Sequence, residues 1–184
     1  MTPVDTIRRA TDQKTARRGL ISKDLQVRIF RRGRWLCHWC GRPVIFAPAM
    51  RYLELFAKRH RDTAALAYHD SRWRRDKAPL LDHLGAVIDR VQAHSRGGAC
   101  NEANFVTSCN KCNTRKSDAL PQDFGARSPL RPIRGKYGEP EHWDGLSTLF
   151  IILVEQVPHF ASPTERDWLH ALRPSHSLLT IESE

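Results

Sequence analysis

Long apolar runs are missing from this sequence. The longest, Leu149 to Val154, falls far short of the roughly 20 residues a membrane span needs, which excludes a transmembrane helix. The N-terminal stretch has no apolar segment of the secretory type, so a cytoplasmic protein is the default expectation. No internal repeat is evident, which excludes a repeat array. Cysteines are sparse and odd in number, five in 184 residues, so they do not close into a disulfide framework. Acidic residues are also in deficit: 20 Asp and Glu stand against 30 Lys and Arg, a formal net charge of +10. Such a balance says little about fold and much about partners, because it attracts polyanions. Solvated surface charge is the alternative reading. The excess is uneven, with Arg8, Arg9, Lys14, Arg17 and Arg18 crowded into the first 21 residues, which read as a basic arm.

Four of the five cysteines fall into two CxxC pairs, Cys37 with Cys40 and Cys109 with Cys112. Each CxxC turn offers two thiolates at the bite that tetrahedral zinc takes, and two such pairs fill its shell. A closed shell has no place for a reactive water, so the predicted ion is structural. His38, inside the first pair, is not needed as a ligand. Cys100 is left over as a free thiol.

Around these pairs the pattern predicts mixed structure. Ser22 is a candidate N-cap for a helix over Lys23–Arg32, with Gly33 ending it. Residues 35–46 read as two short strands about a CxxC turn, a zinc-knuckle hairpin. Residues 47–84 read as a helical insertion. Short strands are expected over 85–91 and 104–108, separated by the turn Ser95-Arg96-Gly97-Gly98, with a short helix following Cys112. Residues 121–142, rich in Pro, Gly and Arg, read as a wrapping segment. Two helices follow, one over 143–156 and one opening at Ser162, whose Glu165 stands at the capping-box position.

The set Ile88-Asp89, Ser95-Arg96-Gly97-Gly98, Asn104-Phe105-Val106, Cys109, Cys112, Asn113 and Lys116 resembles the HNH endonuclease family in its zinc-containing ββα-metal form. The resemblance spans about 30 residues, nearer 40 with the Cys37–Cys40 hairpin. It implies an α+β fold with a ββα-metal core and a four-cysteine zinc knuckle, placed over residues 22–120 and surrounded by helices; the insertion 47–84 and the C-terminal wrapping segment and helices over 121–184 are not explained by the motif. It further implies a hydrolase cutting phosphodiester bonds of nucleic acid, with double-stranded DNA the expected substrate. Asp89 and Asn113 would hold a catalytic divalent cation, and Asn104 would brace the loop and orient the base. Carboxylate and amide oxygens are hard donors suited to magnesium. Alternative readings are a surface strand residue for Asp89 and a helix N-cap for Asn113. Arg90, Arg96, Lys111, Arg115 and Lys116 are candidate phosphate contacts, with solvated charge as the alternative for each. A protein partner or dimer is left open.

One position departs from the pattern. Where the family has a histidine base after the aspartate, this chain has Arg90. A guanidinium cannot accept a proton near neutrality, and a missing general base costs on the order of 10²–10⁴-fold in rate. His94 is the nearest substitute, provided the chain bends sharply after the strand; His83 needs a larger detour. Two classes of function are therefore expected: an endonuclease, weakened or rescued, and a catalytically inactive zinc-stabilised nucleic-acid-binding module.

Overall fold

The structure is a computed structural model and describes residues 21–59, 79–124 and 143–173. The basic arm up to residue 20, the middle of the expected insertion (60–78) and the wrapping stretch 125–142 lie outside the described residues.

Ser22 opens helix α1 (Lys23–Arg32), its hydroxyl accepting the Leu25 N–H at 3.2 Å, and Val27, Ile29 and Phe30 form the buried stripe. The next stretch differs from expectation. Instead of two strands, residues 35–46 make single bridges, Leu36 with Pro43 and Ile45 with Gly85. Arg34 and Trp35 both have φ of 54°, which breaks an extended run at its start, and Pro43 has no N–H for a ladder.

Helix α2 (Ala47–Arg59) follows at once, and α3 (Pro79–Leu84) leads into the hairpin. Strands β1 (Ala86–Arg90) and β2 (Phe105–Cys109) are antiparallel, pairing Ile88 with Thr107, Asp89 with Val106 and Arg90 with Phe105. Helix α4 (Asn110–Lys116) starts directly after β2, with Cys109 as its N-cap. Helices α5 (Ser147–Gln156) and α6 (Pro163–Leu172) complete the described residues, and Ser162 with Glu165 forms the capping box of α6.

The architecture is α+β, a small two-stranded sheet among helices. Helix α1 packs on the hairpin and on α6, α3 on α4, and α5 on α2 and α6. Alternation along the strands divides the hairpin into two faces. Thr107 turns to α1, where its hydroxyl donates to the Ile29 carbonyl at 3.0 Å. Asp89, one position out of phase with that face, turns to α4. Among the described residues no helix is long and apolar enough to cross a membrane.

Candidate metal centre

The first CxxC turn is closed by its own backbone. The Cys37 N–H donates to the Arg42 carbonyl at 2.9 Å and the Gly41 N–H to the Cys37 carbonyl at 2.8 Å. The His38 N–H reaches across to the Thr107 carbonyl at 2.8 Å, which fixes this turn against β2. The second pair sits where β2 becomes α4, and the Cys112 N–H points at the Cys109 sulfur, 3.4 Å away.

The sulfurs of Cys37, Cys40, Cys109 and Cys112 consequently all lie within 4.8 Å of one another, and those of Cys40 and Cys109 are 3.8 Å apart. Thiolates about 2.3 Å from a common tetrahedral centre stand about 3.8 Å from each other, so donor type and spacing both fit one zinc ion. Hydrogen bonds from the Cys109 and Cys112 thiols lower the pKa of Cys37 and Cys40. Cys100 is exposed and stands apart from the group.

The acid of the expected second site is held from this centre. Asp89 is 6% exposed, and its Oδ2 accepts the Trp39 indole N–H at 2.7 Å. Trp39 lies between the two ligands of the first pair, so the knuckle reaches the carboxylate through that ring. Sequence reasoning passed over Trp39; its place inside a CxxC turn was the available signal. Burial pushes the Asp89 pKa up, only partly offset by Lys116 and the Trp39 hydrogen bond.

Lys116 differs from its expected role as a surface phosphate contact. It is 1% exposed, with Nζ 2.7 Å from the Arg90 carbonyl oxygen, 3.7 Å from Asp89 Oδ1 and 5.2 Å above the Trp39 ring. Asn113, one turn earlier on α4, shares the Lys116 side of the helix and is half-buried. The donor types of Asp89 and Asn113 suit a hard cation, and one positive charge already stands beside the acid.

Asn104 clamps the loop between the strands. Its amide donates to the Gln92 and Ala99 carbonyls at 2.9 and 2.8 Å, and its oxygen accepts the Gln92 N–H at 2.9 Å. Within that loop Gly97 adopts φ of 79°, and Gly98 packs so closely that an added Cβ would stand 1.9 Å from the Gln92 carbonyl oxygen. The chain thus bends sharply after β1, yet His94 emerges exposed on a single 3-10 turn. Among the described residues no hydrogen bond or ion pair joins it to Asp89.

Arg90 lies on the opposite face of the hairpin from Asp89, its guanidinium 5.4 Å from the Phe105 ring centre and 3.8 Å from the Cys100 sulfur. Arg96 is tied to Asp118, through the Asp118 carbonyl at 2.7 Å and its carboxylate at 3.7 Å. Lys111 and Arg115 are exposed and one turn apart on α4. His83, on α3, is exposed as well. No family model, curated protein or solved structure matches the chain.

Proposed function

We propose that this chain is a zinc-stapled, metal-dependent endonuclease of the HNH type, acting on phosphodiester bonds of DNA. The observation that supports it is the convergence at Asp89. A hairpin strand carries a buried acid, the helix following the hairpin begins at two sulfurs of the cluster, and Lys116 of that helix stands 3.7 Å from the acid, with Asn113 one turn earlier on the same side of the helix. Zinc at the four cysteines ties the first turn to the start of α4, and Trp39 carries that rigidity to the Asp89 carboxylate. A divalent cation bound there would supply charge stabilisation for a pentacoordinate phosphorus and the departing oxygen. The chain's own part is to orient the acid, through Trp39, and to fix the neighbouring loop, through Asn104. Lys111 and Arg115 present charge for backbone phosphates, a contact that gives affinity without sequence information.

A second reading is favoured by two observations: Asp89 is already compensated by Lys116, and Arg90 faces away from it. Under that reading the same surface binds DNA without cutting it. Zinc-loaded protein incubated with supercoiled plasmid separates the two. Nicking that requires added magnesium supports the endonuclease. A salt-dependent gel shift with no nicking supports the binding module, and neither result leaves no nucleic-acid role.

A further inference from the structure

A lysine is almost never taken wholly out of water unless another group compensates it, and Lys116 is compensated by three. A backbone carbonyl at 2.7 Å, a carboxylate oxygen at 3.7 Å and an aromatic face at 5.2 Å surround its ammonium. These electron-rich groups would attract any cation. The position is not accidental, because α4 is pinned at its N-terminal end by Cys109 and Cys112, and Lys116 follows on the same helical side one turn after Cys112. We infer that Lys116 is the resident counter-ion of Asp89, and that a divalent cation reaches this carboxylate only by displacing the Lys116 ammonium.

The inference rests on the metal-dependent reading above and deepens it. Two positive centres on one buried carboxylate repel strongly in a low-dielectric setting, so occupancy by ammonium and by divalent ion is exclusive. Lysine suits this role because its charge rides on a flexible four-carbon stem. A displaced ammonium can swing out, whereas a fixed arginine fork could not leave as readily. In the absence of the ion Lys116 keeps the acid from standing buried and unpaired, a strongly unfavourable situation. Affinity for the ion is lowered in exchange.

The test compares zinc-loaded wild type with Lys116→Met and with the double variant Lys116→Met/Asp89→Asn, using manganese as the probe. Free manganese is read by electron paramagnetic resonance. Lys116→Met should bind manganese at least about tenfold more tightly than wild type, since a competing charge has been removed, and the double variant should lose that binding. In wild type, acetylation of the Lys116 amine, followed by mass spectrometry, should be slow with zinc alone and several-fold faster once manganese is bound. Unchanged or weaker manganese binding by a folded Lys116→Met protein overturns the inference. Should Lys116→Met fail to fold, the wild-type labelling decides, and protection of Lys116 that persists with manganese bound overturns it equally. If wild type binds manganese through Asp89 but the lysine variant binds no better, the counter-ion role falls and the endonuclease stands. If no variant binds manganese through Asp89, both fall together.

Discussion

The sulfur-and-charge centre and the helical pair α5–α6 share one continuous buried cluster but are held by different physics. Around the four cysteines, stability depends on directional partners. Asp89, Thr107, Ser108 and Lys116 are all buried there, and each polar group is tolerated only because a specific neighbour satisfies it. Around α5 and α6 the interior is mainly aromatic and aliphatic, with Ser147 and Glu165 as the polar groups buried on those helices. Phe150 sets its ring edge-on to Phe46 at 5.4 Å and to Tyr52 at 6.0 Å, Trp168 meets Phe46 at 5.2 Å, and Leu153, Val154 and Leu172 fill between. Burial of that kind is non-directional and roughly proportional to area. The first region should therefore fail as a unit when one member is lost, and the second should weaken by degrees.

Cys109→Ser is the strongest test of that contrast. Cys109 ends β2, caps α4 and is a proposed zinc ligand, so its loss should drop bound zinc from about one equivalent to none and abolish cooperative thermal unfolding. Apparent binding energies of structural zinc run about 10–16 kcal/mol and are felt as folding energy. Elemental analysis beside a melting curve checks both. A variant that keeps its zinc and its transition removes the distinction between the regions.

Phe150→Ala, in the other region, should cost about 3–5 kcal/mol as a cavity is left where the ring was, while zinc content stays at one equivalent. Urea denaturation with parallel metal analysis measures this. Zinc loss on removing that ring would mean that the two regions unfold as one.

Trp39→Phe probes the link between the knuckle and the acid. It keeps most of the ring and deletes the indole N–H that Asp89 accepts at 2.7 Å. A hydrogen bond to a charged group is worth about 1.5–3 kcal/mol, and that is the expected loss. Zinc binding should be kept, and Asp89-dependent manganese binding should weaken more than stability alone accounts for. Equal stability in both proteins would show that the indole contributes shape and no hydrogen bond.

Much of this was legible in sequence because short-range chemistry specifies it. Ser22 and Ser162 announce their helices, two CxxC pairs announce the sulfur cluster, and Gly97-Gly98 announce a turn that needs a left-handed residue and a close backbone approach. The strands expected over 35–46 dissolved into bridges because the positive φ of Arg34 and Trp35 cannot be read from those residue types. Lys116 was misplaced on the surface for a different reason. Composition treats every lysine in a basic helix alike, whereas Cys109, Cys112 and Lys116 recur at a three-then-four spacing that puts the lysine on the sulfur side. Lys111 and Arg115, out of phase with that spacing, do face solvent. The pairing of Lys116 with Asp89 could not be seen at all, since it joins residues that only the hairpin brings together.

The smallest expected effect lies at the entrance to α5. The Asp144 carboxylate accepts the Leu146 N–H at 2.9 Å, the Thr148 N–H at 2.7 Å and the Ser147 hydroxyl at 3.2 Å. Burial alone would raise its pKa, but these hydrogen bonds outweigh it and the group titrates below an ordinary aspartate. Because the folded-state pKa is depressed, the stability it contributes is present above the unfolded value of about 3.9 and is lost as pH falls through the folded one. Asp144→Ala should cost about 1 kcal/mol, the usual size of a capping loss. In urea titrations with zinc in excess, the gap between the two proteins should hold constant from pH 7 to pH 5 and begin to close only below about pH 4. The sulfur centre behaves otherwise on the same axis, because protons compete with metal for thiolates and its stability should fall while the Asp144 gap is still flat. A gap that already narrows between pH 7 and pH 5 would mean that the Asp144 carboxylate is not held below its ordinary range. Its cap would then owe its strength to burial and not to charge.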